Sequence, residues 1–213
     1  LRKAPAPRKG FSFTANTHPV NIRYRFRFTN TAARFIHNRQ PDNAARNNAV
    51  RKIAAMSNVK TNAMRILDKH KIAYKTYCYA ATGAVSGTEV AATLGQNPAQ
   101  VFKTLVTAGK SGTHYVFMLP VAAELDLKKA ARAVNEKSVE MLKQKDLLPL
   151  TGYVHGGCSP IGMKKQFPTV VDQTAAGFPT IIFSAGMIGY QVELPLPALK
   201  TVIPLTTADI TAA

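Results

Sequence analysis

At 213 residues and 46% hydrophobic content the chain is long enough for one well-buried domain, and no apolar run approaches the roughly 20 residues that a membrane span requires. Its two cysteines, Cys78 and Cys158, form no Cys-x-x-Cys and join no Cys/His cluster at ligand spacing, which argues against a disulfide framework or a structural zinc site and for a reducing, cytoplasmic setting. The net charge of +17 suggests a nucleic-acid partner but is unevenly spread: residues 1–55 carry 12 Lys and Arg against Asp42 alone, whereas residues 56–213 carry 16 against 10 acidic residues.

The two parts also differ in kind, the first with nine Arg and three Lys, the second with two Arg and fourteen Lys. The first methionine is Met56, and Met56 to Thr61 reads as a cytosolic N-terminus, so residues 1–55 are expected to be an over-long reading frame. Two other readings stand beside it: an Arg-rich, acid-poor targeting arm, and an RNA-binding arm or edge strand built on Arg23, Arg25 and Arg27 interleaved with Tyr24, Phe26 and Phe28. All three predict an extension that does not pack stably on a domain spanning residues 56–213.

From Met56 the pattern becomes regular. Thr61 is a fitting N-cap for a helix over 62–70, with Met64, Ile66 and Leu67 as its apolar face and Lys69, His70 and Lys71 at its C-terminal end. A strand is expected at 74–80, a loop at 83–87, a short helix at 88–94 closed by Gly95, and a further turn opened by Asn97-Pro98. The strand at 101–106 follows, then a hairpin turn at 109–112 and a return strand at 114–119 ended by Pro120. An amphipathic helix over 125–134 starts near Asp126; a short strand at 138–141 and a helical turn at 146–150 come next. Strands at 169–172, 180–184 and 190–194 and a helix at 197–202 complete the reading. The result is an α/β domain on a curved mixed sheet, with neither Gly-x-Gly-x-x-Gly nor a P-loop.

Two features exceed this framework. Under period-two alternation Lys103 is the only charge in the 101–106 strand, which implies either a side chain that snorkels to water or a cation projecting into a pocket to hold a phosphate, a ribose oxygen or a carbonyl. Residues 151–165 combine four glycines, a proline, a cysteine, a serine and two lysines, which suits neither helix nor strand. Gly157-Cys158-Ser159-Pro160 reads as a stiff corner with bare backbone, either an ordinary turn or a set of amides for a developing oxyanion. Cys158 with His155 as its base is a rival nucleophile pair, although neighbours so close in a loop seldom point together.

Thr61-Asn62-Ala63-Met64, Val101-Phe102-Lys103-Thr104-Leu105, Glu124-Leu125-Asp126-Leu127-Lys128-Lys129, the run from Gly152-Tyr153 to Gly162 with Lys164-Lys165, and Ser184-Ala185-Gly186 together resemble the YbaK/EbsC family of Cys-tRNA(Pro) deacylases. The resemblance covers nearly all of residues 56–213 and none of residues 1–55. It implies a free-standing aminoacyl-tRNA editing domain with a barrel-like mixed sheet and surrounding helices, related to the insertion domain of prolyl-tRNA synthetases. The implied reaction removes cysteine, with other small aminoacyl groups open, from the acceptor end of tRNA(Pro), in concert with prolyl-tRNA synthetase and without metal or cofactor. It also implies that the substrate's own thiol attacks its ester carbonyl.

By that resemblance Lys103 and Gly157 are the expected catalytic residues. Tyr79, Thr104, Gly156, Cys158, Ser159, Pro160, Ser184 and Gln191 are the expected substrate contacts. Gln191 stands where the family carries an aspartate, so a carboxylate role there is in doubt. A tRNA- or synthetase-binding module that has lost its chemistry remains the non-enzymatic alternative.

Overall fold

The computed structural model describes residues 59–84 and 86–212, so the expectations for residues 1–55 lie outside the described residues. Five α-helices occur among these residues: α1 (Asn62–Lys69), α2 (Gly87–Thr93), α3 (Leu127–Ala133), α4 (Gln144–Thr151) and α5 (Leu196–Val202). Eight strands join one mixed sheet: β1 (Lys75–Cys78), β2 (Val101–Gly109), β3 (His114–Pro120), β4 (Val139–Met141), β5 (Thr169–Asp172), β6 (Ile181–Ser184), β7 (Tyr190–Leu194) and β8 (Leu205–Ala208). None of the described helices is long and apolar enough to cross a membrane.

The strand order is β1-β7-β6-β2-β3-β5-β8, with β4 attached to β2. β1/β7, β6/β7, β2/β3 and β2/β4 are antiparallel, while β2/β6, β3/β5 and β5/β8 are parallel. No pairing among the described residues joins β1 to β8, so the sheet is open rather than closed into a barrel.

Alternation along the strands divides the core. On one face Phe102, Met118, Val171, Phe183 and Val192 pack with Met64 and Leu67 of α1 and Leu199 of α5. The opposite face carries Phe117, Leu119 and Val170 beneath Ala130 and Ala131 of α3, and Val101 and Ile182 beneath Ala91 of α2. Burying each large side chain in these layers contributes about 1.5–3 kcal/mol.

Local chemistry sets the element ends. The Thr61 hydroxyl accepts from the Met64 amide, capping α1. Ser86 and Glu89 form a reciprocal capping box, so α2 begins at Gly87 rather than at 88. The carboxylate of Asp126 accepts from the amides of Lys128 and Lys129, which starts α3 at Leu127 and leaves Leu125 outside the helix, in a bridge to Thr211. The expected turn at 146–150 is a full helix despite Pro149, whose missing N–H weakens it. Its last turn is held by the Thr151 hydroxyl donating to Leu147 O, by the Gly152 amide donating to Leu148 O, and by Lys164 Nζ donating to Pro149 O.

β8 and the 3-10 turn Gln173–Gly177 had no sequence counterpart. The buried carboxylate of Asp172 supports both, accepting from Thr174 and from the Ile210 amide.

The bend after α4 is stitched into the domain rather than draped over it. Tyr153 Oη donates to Ile161 O at 2.6 Å, Asn62 Nδ2 donates to Gly162 O at 3.2 Å, and the Lys164 amide donates to Thr151 O at 3.0 Å. Gly162 has φ of +77°, and a Cβ there would sit 2.6 Å from Asn62 Nδ2 and 2.8 Å from Ile66 Cδ1. Gly162→Ala is therefore expected to cost about 2–4 kcal/mol, combining left-handed strain with overpacking. A drop in the urea midpoint at unchanged m-value would register that loss.

Candidate functional site

β2 supplies the frame of the site. Along one edge it pairs with β3 from Phe102 to Ala108. Along the other it meets β6 only at Val101 and Phe102, and β4 only at Thr107, Ala108 and Gly109, with the Leu142 amide reaching Val106 O. The edge is thus unpaired across Lys103, Thr104 and Leu105. The bond from the Val121 amide to Val101 O fixes the odd-numbered residues as those bonded to β3, so the backbone groups of Thr104 point at the opening.

A cavity of about 400 Å³ occupies this fork. Seven of the ten expected site residues line it: Tyr79, Lys103, Thr104, Gly156, Cys158, Ser184 and Gln191. Pairing places Lys103, Ser184 and Gln191 on the α2 face of the sheet. Thr104 lies on the face of Val106, which packs with Leu147, Tyr153 and Cys158. The cavity therefore reaches both sides of the sheet through the gap in its hydrogen bonding.

Lys103 is half-buried, and its Nζ donates to Val121 O at 3.4 Å. Burial pushes its pKa below the ordinary value, and the charge of Glu124 opposes that shift. Two polar atoms of the lining, Thr104 Oγ1 and Gln191 Oε1, are buried with no hydrogen-bond partner. Neither atom is satisfied by the fold, and both residues line the cavity. Ser184 Oγ accepts from the Gly186 amide and so turns the chain after β6.

The other three expected residues sit elsewhere. Gly157 does not line the cavity, and its amide already donates to Val154 O at 3.0 Å. Its lack of a side chain serves packing, since a Cβ would lie 3.1 Å from the Ile188 amide nitrogen. Ser159 is fully buried, its hydroxyl accepting from the Ile161 amide. Pro160 borders a separate hollow of about 190 Å³. The flanking amides of Gly156 and Cys158 find no acceptor among the described residues, and both residues line the cavity.

The rival nucleophile pair is not assembled. Burial drives the Cys158 thiol up to about 12, and no hydrogen bond joins it to the exposed His155. A thiol protonated at neutral pH is a poor nucleophile. Sequence reading also missed the α2 side of the wall, Ser86, Gly87 and Val90, although the Ser-x-x-Glu spacing of a capping box was there to be read. Alkylation by iodoacetamide at pH 7.5 is expected to modify exposed Cys78 while sparing Cys158 until the protein is unfolded, as mass spectrometry of the two peptides would record.

Comparison with known proteins adds three findings. Residues 82–202 match the family model of the aminoacyl-tRNA editing domain. A relative from Enterococcus faecalis, provisionally named Cys-tRNA(Pro)/Cys-tRNA(Cys) deacylase EbsC, is 48% identical over 153 residues, which is 71% of this chain and 93% of the relative. Two solved structures share the fold with TM-scores of 0.63. One, provisionally described as a trans-editing enzyme for prolyl tRNA synthetase, is 23% identical and covers 73% of this chain and all of its own. The other, hypothetical protein APE2540, is 19% identical and covers 68% of this chain and 96% of its own.

Proposed function

The chain belongs to the aminoacyl-tRNA editing domain family, and on that premise we propose that it hydrolyses the ester of Cys-tRNA(Pro) in the cavity at the β2 fork. The observation that carries this reading is Lys103, the one lysine or arginine among the described residues that line the cavity, in the same hollow as the backbone of Gly156 and Cys158.

An aminoacyl ester is already activated, so a site that cleaves it must orient the carbonyl and stabilise the oxyanion more than it must supply a strong nucleophile. In this reading Lys103 holds the phosphate or ribose of the terminal adenosine, and the Gly156 and Cys158 amides face the developing oxyanion. Gly157 acts by bringing the bend close to the turn at 187–188. The unpartnered Thr104 hydroxyl offers a further contact to the bound ester. The substrate thiol adds to its own carbonyl; the ribose oxygen leaves with the thiol proton, and water opens the resulting thiolactone to free cysteine.

The half-buried position of Lys103 suits this role, because a cation removed from bulk water binds an anionic or dipolar partner more strongly. A protein partner completes the reading. The modest positive charge beyond residue 55 offers few phosphate contacts, and prolyl-tRNA synthetase in the cytosol would supply the missing tRNA affinity. Specificity among small aminoacyl groups follows from the walls of the hollow, where one methylene is worth about 1–3 kcal/mol.

Lys103→Ala is expected to lower kcat/KM for Cys-tRNA(Pro) by about 10²–10³-fold, as the loss of one charge-stabilising donor does elsewhere. The melting temperature should stay within a few degrees of wild type. Unimpaired turnover by this variant would remove Lys103 from the mechanism. Wild-type protein that binds Cys-tRNA(Pro) without deacylating it, with and without prolyl-tRNA synthetase, would favour a binding module instead.

A further inference from the structure

Gln191 is only 6% exposed, lines the cavity and leaves its Oε1 without a partner. Burying an amide oxygen unsatisfied is costly, and that cost is relieved when a bound ligand donates to it. The donor's charge is set by its surroundings. Among the described residues the ionisable groups on the cavity wall are Lys103 from β2, Tyr79 beyond β1, and His155 and Cys158 from the bend; none is a carboxylate.

The groups around Gln191 do not alter this balance. Tyr77 lies opposite it on β1 and Ser184 opposite it on β6. Glu193, two residues along β7, is not on the wall and is engaged by Tyr77, Thr180 and Lys75. Glu124 acts on Lys103 but does not line the hollow. A substrate ammonium entering this cavity would meet one cation and no anion, and an unpaired buried charge is disfavoured by several kcal/mol.

An aminoacyl ester escapes that penalty. Its amine titrates below the roughly 7.7–8.0 of a chain terminus, because the ester withdraws electrons, so the neutral form is well populated at physiological pH. Resting on the deacylase reading above, we propose that Gln191 Oε1 accepts a hydrogen bond from the uncharged 2-substituent of the acyl group, and that the protein therefore also hydrolyses 2-hydroxyacyl esters of the same tRNA end. A 2-hydroxyl donates to Oε1 as a neutral amine does, whereas a site built for an ammonium would reject it. In the net reaction water divides across the ester: the acyl carbon takes the hydroxyl, the ribose oxygen takes the proton, and a 2-hydroxy acid departs.

The test compares tRNA(Pro) carrying cysteine with tRNA(Pro) carrying 2-hydroxy-3-sulfanylpropionate, using the full chain from pH 6 to 8. Each rate is divided by its own uncatalysed rate, which removes the difference in intrinsic ester reactivity. The normalised kcat/KM of the hydroxy ester should fall within tenfold of the cysteinyl ester at pH 8 and overtake it towards pH 6, where the amine becomes protonated. A hydroxy ester more than tenfold worse at pH 8, with the cysteinyl ester still cleaved, overturns the inference and leaves the deacylase reading intact. If neither ester is cleaved, both fail. Gln191→Glu, which adds an anion to the wall, should raise kcat/KM for the cysteinyl ester at pH 6 at least tenfold relative to pH 8, and an unmoved acid limb in a folded variant would remove Gln191 from the contact.

Discussion

The site depends on a hydrogen-bonding vacancy in β2. A strand within a sheet normally satisfies both of its edges, because an amide or carbonyl buried without a partner is expensive. β2 satisfies one edge completely against β3, but β6 and β4 claim only the two ends of the other, leaving Lys103 to Leu105 between them. Two neighbours that diverge along a common strand cannot fill the space at the point of parting. The cavity follows from this topology, and the residues at the opening, a lysine and a threonine among apolar neighbours, are polar where the backbone pairing stops.

A hollow of this kind holds its shape only if its walls are fixed from outside. The bend from 152 to 162 is tied to α1 through Asn62, to α4 through Thr151 and Lys164, and to itself through Tyr153 and Ser159. Gly157 and Gly186 allow the bend and the turn after β6 to come within contact of their neighbours, Gly157 against Ile188 and Gly186 against the Tyr153 ring. The hydroxyls and glycines that look catalytic in a list of residues thus do two different jobs. Those facing inward line the cavity; those facing outward hold the inward ones in register.

This division explains what the sequence could and could not disclose. Lys103 was legible because one charge in an apolar strand is conspicuous, and the bend because glycine, proline and serine together suit no regular element. The order of helices and strands was likewise readable from periodicity and caps. The fork was not, since it joins β2 to β6 some 80 residues later and to β4 some 30 residues later, and no local pattern records a long-range register. For the same reason the choice among amides was open: which of Gly156, Gly157 and Cys158 keeps its N–H free depends on a single turn bond, from Gly157 to Val154. β8 escaped notice because it is four residues long with only its ends partly buried, which leaves little alternation to detect.

The buried thiol of Cys158 fits the proposed chemistry, in which the ester would lie beside it. An activated ester held beside a thiolate would acylate the protein, since thiolates are strong nucleophiles towards carbonyls and the reaction needs no base once the proton is gone. At a pKa of about 12 the Cys158 thiol is protonated under all physiological conditions. Packed with Val106 and Leu147, it behaves as a small apolar side chain that shapes the wall. Serine in its place would add a polar group without a partner, and a bulkier residue would narrow the hollow. If the cysteinyl ester binds in this cavity as proposed, only the substrate's thiol is free to ionise there, and attack on the ester is left to the group that identifies the wrong amino acid.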